Sequence, residues 1–233
     1  VQVDTPEEFV AQATAALRHV PGLIAQQWIA GTDTDLYSCN CCYSEDGELL
    51  VTFTAKKIRQ WPPRTGISSL GEACDAPEVA AMAHALFSAV DYRGLGYFEA
   101  KRDPRDGKHY IIEPNIGRPT GRSAIAEAGG VELVYTHYCA AAGLPLPENR
   151  TQVPGEVKWI HLRHDLQSAA FYLSKRELSL RGWVRSLRGR KHFAIFDARD
   201  PVPFVLDCIH PLRRALTREG RQSANCGRPA TAT

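Results

Sequence analysis

The sequence predicts an α+β fold, an antiparallel sheet with packed helices, followed by a mainly helical C-terminal extension. Three observations point there. Two pairs of apolar, aromatic and β-branched runs flank short polar turns, the reading of antiparallel hairpins: "DLYSCNCCY" with "LLVTFTA" around Glu45-Asp46-Gly47, and "GLGYFEAKRD" with "KHYIIEPN" around "PRDG". Segments of helical period stand before, between and after these pairs. A proline-rich stretch, "LPLPENRTQVPG" from Leu144 to Gly155, then marks a boundary. The expected organisation is one domain over 1–150, a helical extension over 151–218 and a polar, disordered tail over 219–233. A chain of 233 residues suffices for one large domain or two small ones.

Along the chain, "DTPEEFVAQATAALRHV" opens a helix. Thr5 suits the N-cap, Pro6 the first helical position, and Glu8 completes a capping box. Phe9, Ala13, Ala16, Leu17 and Val20 recur at helical spacing until Pro21-Gly22. "LIAQQWI" reads as a strand broken by Gly31. After the first hairpin, "KKIRQWPPRTGISSLGEA" is basic, polar and interrupted by paired prolines. It reads as a loop outside the core, a semi-rigid cover. A helix from about Pro77 to Val90 precedes the second hairpin. Helices are expected over "TGRSAIAEAGG" and "VELVYTHYCAAAG". Beyond the boundary come a short strand at Trp159, helices near Asp165–Leu173 and Ser179–Leu187, a strand "KHFAIFD" and a last helix near Asp200-Pro201.

Composition narrows the function classes. The net charge is only +2, so no global field demands a polyanion. The charge is uneven: Lys175–Arg221 holds twelve Lys/Arg against five Asp/Glu, read chiefly as solvated helix faces. Nucleic acid is therefore not an expected partner. No run approaches a transmembrane helix and no signal peptide is recognisable, although the first residue is Val1 rather than Met. Seven cysteines without C-x-x-C spacing read as reduced thiols of a cytoplasmic protein. In "CNCC", strand alternation puts Cys39 and Cys41 on one face and Cys42 on the other, which disfavours a metal there. His161 and His164 lack an obvious third ligand.

The chemistry concentrates in the second hairpin. With its loop centred on Asp106, Glu99 stands opposite Glu113. Their side chains leave one face with Cβ atoms about 5 Å apart. Asn115 shares that face if the strand stays extended. Opposed carboxylates repel and call for a cation or a shared proton. Two carboxylates and an amide form a hard, all-oxygen set suited to Mg²⁺, which usually completes its shell with water and phosphate oxygens. Lys56, Lys57, Arg59, Arg64, Arg118 and Arg122 are basic residues near enough in sequence to hold such phosphates. The plain alternative is two glutamates reaching past each other into water at a sheet edge.

The spacing E-(13 residues)-E-x-N, from Glu99 to Asn115, together with the upstream "QQWIAG", resembles the ATP-grasp superfamily, to which D-alanine–D-alanine ligase belongs. "GTDTDLYSCNCCYSEDGELLVTFTAKKIRQWPP", "DYRGLGYFEAKRDPRDGKHYIIEPN" and "ELSLRGWVRSLRGRKHFAIFDARDPVPF" are similar to the bacterial ATP-grasp carboxylate–amine ligases, also called predicted ATP-dependent carboligases. The likeness runs from Val1 to about Arg214. It implies that the chain is the C-terminal portion of an ATP-grasp domain, with the family's lysine strand and glycine-rich loop lying upstream of Val1.

Carried over by position, the resemblance implies ATP and Mg²⁺ (or Mn²⁺) as cofactors. Gln26, Gln27, Trp28 and Ile29 would be the hinge against adenine, and Asp33 or Asp35 would bind the ribose hydroxyls. Glu99, Glu113 and Asn115 would hold the metal. Lys57 and Arg59 would face the phosphates, and Arg118 the acyl phosphate or the carboxylate substrate. Tyr97 stands where D-alanine–D-alanine ligase has an arginine, which leaves charge neutralisation to Arg118, Arg122 or the loop.

The implied activity is ATP-dependent carboxylate–amine ligation of small molecules through an acyl phosphate. The 233-residue chain alone is expected to be incomplete for turnover and to associate with itself. The alternatives are a non-catalytic nucleotide-binding regulatory or assembly module and, on the basic C-terminal third alone, an adaptor for anionic surfaces.

Overall fold

A computed structural model describes residues 2–117, 123–153 and 157–209. Arg118, Arg122 and the tail 219–233 lie outside the described residues. The predicted α+β class is what the chain adopts. A seven-stranded sheet has the order β5-β4-β1-β2-β3-β6-β7. Its strands are β1 (Leu36–Tyr43), β2 (Leu49–Trp61), β3 (Ile67–Ala73), β4 (Gly94–Arg102), β5 (His109–Ile116), β6 (Val157–Ile160) and β7 (Arg190–Phe193). All neighbouring pairs are antiparallel except β6 with β7.

Helices cover both faces. Helix α2 (Pro77–Ala89) packs Val79, Ala83 and Phe87 against Cys39, Cys41, Phe98 and Ala100. On the opposite face, α3 (Ser123–Ala128) and α4 (Leu133–Ala141) pack Ile125, Ala126 and Leu133 against Cys42, Val51, Phe53 and Leu95. The split of the "CNCC" cysteines between the two cores follows directly from strand alternation. Burying each Val, Leu, Ile or Phe side chain in these cores contributes about 1.5–3 kcal/mol.

Helix α1 (Pro6–Leu17) forms where its caps predict. Thr5 Oγ1 accepts the Glu8 amide at 3.2 Å, while the Glu8 carboxylate takes the amide of Asp4 rather than that of Thr5. None of its residues is buried, so its apolar face, with Phe9 and Leu17, is not part of either core.

Two expectations are corrected. "LIAQQWI" is not a strand. The segment lies across the sheet through side chain-to-backbone bonds, Gln26 Nε2 to the Ile112 carbonyl at 2.8 Å and Lys101 Nζ to the Ile29 carbonyl at 2.9 Å, and has no ladder partner. The basic stretch after the first hairpin is not a loop. It completes β2 through Trp61 and supplies β3, leaving only residues 62–66 as the connection, after a cis Trp61–Pro62 peptide. Lys57, Arg59 and Gln60 are all buried in spite of their polarity. Burial is tolerated because each has a buried or half-buried partner, described below.

The segment beyond the proline-rich boundary carries α5 (Leu162–Ser174) and α6 (Leu180–Ser186), and residues 202–209 are helical. It also extends the sheet, with β6 on β3 and β7 on β6. No helix among the described residues is long and apolar enough to cross a membrane.

Candidate functional site

The second hairpin pairs Glu99 with Glu113 and Tyr97 with Asn115. The route to that register differs from simple symmetry about Asp106. The turn closes with the Asp103 amide on the Lys108 carbonyl, and Arg102, Lys101 and Ala100 pair with His109, Tyr110 and Ile111. That register alone would set Glu99 against Ile112. A bulge between Ala100 and Glu99 shifts the pairing by one residue and brings Glu113 opposite Glu99. Ile112 is the extra residue, and its carbonyl is the one that Gln26 bonds.

Glu99 is nearly fully buried, whereas Glu113 is exposed. Asn115 Nδ2 donates to Glu113 Oε1 at 3.0 Å, which turns the amide oxygen away from that carboxylate and leaves it as an acceptor. Across β1 from Glu99 stands Ser38, whose buried hydroxyl has no hydrogen-bond partner. Asn40, also buried, follows on the same face opposite Tyr97. Glu99, Glu113 and Asn115 thus take paired and next-but-one positions on the hairpin, and their donor types are those a hard divalent cation takes.

A cleft of about 560 Å³ opens at the Lys101 end of β4, its lining including Trp28, Asp33, Gln60, Lys101 and Tyr172. Its volume is in the range of small-molecule sites. Lys101 follows Glu99 by two residues on β4 and shares its face, so the two positions are about 7 Å apart along the strand, and the cleft meets β4 at Lys101. Lys101 also lies 5.2 Å from the centre of the Trp28 ring, in cation–π contact. Burial pushes the Lys101 ammonium below its ordinary pKa, against the pull of Asp35 and Asp33.

The cleft wall is a chain of short polar bonds. Asp33 Oδ1 accepts Gln60 Nε2 at 2.7 Å and its Oδ2 accepts the Tyr172 hydroxyl at 2.6 Å. Burial, then the Asp33 carboxylate, raises the Tyr172 phenol well above its usual range. Asp35 has a local duty: its Oδ2 takes the amide and hydroxyl of Thr32 and caps the short turn Asp33–Asp35.

Lys57 Nζ donates to Gln60 Oε1 at 2.9 Å and to the Gly66 carbonyl at 3.3 Å. Arg59 forms a bidentate pair with Asp165 of α5, Nε to Oδ1 at 2.7 Å and Nη2 to Oδ2 at 3.0 Å, and its Nη1 bonds Ser186 at 2.7 Å. Lys56 pairs with Glu72 at 2.9 Å, and Arg64 with Glu177 at 2.6 Å.

The sequence-derived residues therefore fall into groups. Glu99, Glu113 and Asn115 stand together. Trp28, Ile29 and Asp33 meet at or beside the cleft through Lys101, with Gln26 anchoring their segment and Gln27 exposed. Lys57 and Arg59 are committed to protein partners. Arg118 is outside the described residues. Sequence reading missed Lys101, Gln60, Tyr172 and Asp165. Lys101 was reachable, since it repeats the Glu99 face at period two; the other three depend on contacts between distant segments.

No protein-family model matches the chain, and the comparison with curated proteins found no match. Several solved structures share part of its backbone arrangement. Biotin carboxylase of Campylobacter jejuni, solved as a β,γ-ATP complex, is 16% identical with a TM-score of 0.46, over 56% of this chain and 30% of that one. The biotin carboxylase domain of a thermophilic 2-oxoglutarate carboxylase, bound to bicarbonate, is 17% identical with a TM-score of 0.49, over 65% and 36%. The ATPase subunit of phosphoribosylaminoimidazole carboxylase from Aquifex aeolicus is 16% identical with a TM-score of 0.40, over 50% and 35%. The chain spans about a third of the length of each of these proteins, and the likeness carries no residue role to it.

Proposed function

We propose that this chain belongs to the ATP-grasp superfamily. It would bind Mg-ATP and act as an ATP-dependent carboxylate–amine ligase on small molecules. The observation that carries the reading is the Glu99–Glu113 pair with Asn115 two residues on, placed one step along β4 from a cleft edged by Trp28 and Lys101. Glu99, Glu113 and Asn115 would hold the metal, which when bound supplies charge neutralisation on phosphate oxygens. Trp28 offers an aromatic face to a base, and the segment through Ile29 offers backbone groups beside it. Asp33, at the cleft wall, is the group of the Asp33/Asp35 pair with access to ribose hydroxyls. Lys101 is the cation nearest the acidic group along the strand. In this reading a substrate carboxylate takes the γ-phosphoryl group and an amine then displaces phosphate to form an amide.

Arg59 and Lys57 act differently from phosphate ligands. They hold the cleft wall through Asp165 and Gln60. That commitment favours the second reading, a nucleotide-binding module without turnover, because it removes two cations from the phosphates.

Calorimetric titration of the full chain with ATP, with and without Mg²⁺, separates the outcomes. Mg-dependent binding that weakens about tenfold or more in Glu113→Gln supports the site. Binding that is indifferent to Mg²⁺ and to this substitution overturns it. Release of ADP that requires both a carboxylate and an amine supports the ligase; Mg-ATP binding without it supports the binding module.

A further inference from the structure

On the face of β1 opposite the acidic group, Cys39 and Cys41 point into the core beneath α2. Their sulfurs are 3.6 Å apart, and both residues are fully buried. His84 of α2 projects toward them, and one of its ring nitrogens lies within 4.8 Å of both sulfurs. His84 Nε2 is hydrogen-bonded with Thr52 Oγ1 at 2.9 Å, and Thr52 is the β2 partner of Cys41. The ring is thus fixed by the strand next to the cysteines. Tyr43 belongs to the same cluster, and its buried hydroxyl makes no hydrogen bond of normal geometry. The Cys39 thiol and burial together raise the Cys41 thiol far above its usual range.

We propose that Cys39, Cys41 and His84 form a buried binding site for a thiophilic d¹⁰ divalent cation, Zn²⁺ in the first place. Two thiolates on one tetrahedral Zn²⁺, at about 2.3 Å each, stand about 3.8 Å apart, close to the separation found here. Soft sulfur donors with one imidazole select zinc over the hard cations suited to the Glu99 group. Charge decides the valence. Two thiolates, one neutral imidazole and a divalent cation sum to zero, which a fully buried site tolerates, whereas a monovalent cation would leave a net negative charge in the core.

Binding releases two thiol protons to solvent while two metal–sulfur bonds and one metal–nitrogen bond form; no oxidant or reductant is consumed. The Tyr43 hydroxyl, without a hydrogen-bond partner in the same core cluster, is an oxygen available for the fourth position or for a bond to the group that fills it. The ligands come from β1 and α2 only, so the ion would clamp helix to sheet behind the acidic group.

The test uses the purified full chain under reducing conditions, freed of metal by chelator and then given Co²⁺. A thiolate-to-cobalt charge-transfer band saturating at one equivalent, bleached by Zn²⁺, is expected. His84→Gln should weaken Co²⁺ binding by about 10-fold or more, and Cys39→Ser or Cys41→Ser should abolish the band. Cys42→Ser, which alters the opposite face, should leave it unchanged. Absence of the band in a chain that circular dichroism shows to be folded would overturn the site, as would its persistence in Cys39→Ser. Should the serine variants not fold, X-ray absorption of the zinc-loaded wild-type chain decides. Two sulfurs and at least one nitrogen around zinc support the proposal, and a shell without sulfur refutes it.

Discussion

Replacing Asp165 by alanine should destabilise the chain by about 3–5 kcal/mol. The Arg59 and Asp165 side chains are only 4% and 2% exposed, so the pair is out of water. Two parallel charge-assisted bonds join them, at 2.7 and 3.0 Å. Such bonds contribute roughly 1.5–3 kcal/mol each. Without the carboxylate, the buried guanidinium keeps Ser186 alone among the acceptors described for it.

Desolvation of the orphaned charge, rather than the lost attraction, sets the cost. For a chain of this length, about 2–4 °C of melting temperature accompanies each kcal/mol, giving a fall of about 6–20 °C. Thermal and urea melts followed by circular dichroism measure it. Salt should change the difference little, because a buried pair is poorly screened. The double replacement Arg59→Met with Asp165→Leu should recover part of the loss. A cost below about 1 kcal/mol for Asp165→Ala would show that Arg59 is not held as a tether. If Arg59→Met left the melt unchanged but weakened ATP binding, Arg59 would be a phosphate ligand after all.

Three further outcomes follow from the geometry. Trp28, 55% exposed and stacked by Lys101, should provide ring contact for a base, so Trp28→Ala should weaken ATP binding about 2- to 12-fold in the same calorimetric titration, and unaltered affinity would place the base elsewhere. The His164 pKa is pushed down from 6.5 to about 4 by burial and by His161 and Arg163, and burial lowers His161 too. The unfolded chain therefore binds more protons there, and stability should fall as pH drops from about 6.5 toward about 4; melts of His164→Gln across that window should show a shallower fall, and an unchanged slope would exclude His164 as its source. A Cβ on Gly66 would overlap the Trp61 carbonyl, so Gly66→Ala should cost about 1–3 kcal/mol by forcing the 62–66 connection open, and a melt equal to wild type would show that the connection yields freely.

Local rules determined much of this protein. Thr5, Pro6 and Glu8 set the start of α1 because capping uses neighbours within one turn. Alternation separated Cys39 and Cys41 from Cys42, and the two hairpins were legible from apolar runs closed by turn residues. The pairing of Glu99 with Glu113 was also legible, although the structure reaches it through a bulge that no local pattern announced.

Only tertiary structure decided the rest. Polar Lys57, Arg59 and Gln60 read as a solvated loop because a polar run is ordinarily cheapest in water. They are strand and core here because Asp165, 106 residues beyond Arg59, and Asp33, 27 residues before Gln60, arrive to satisfy them. "LIAQQWI" carries strand-like residues, but a strand exists only where a neighbour supplies its ladder, and Gln26 and Lys101 hold the segment by other bonds. His84 sits on a helix whose spacing says nothing of cysteines, and only the packing of α2 on β1 brings its ring to Cys39 and Cys41. Periodicity reports which face a side chain takes; whether a polar side chain can be buried there depends on a partner that distant chain must deliver.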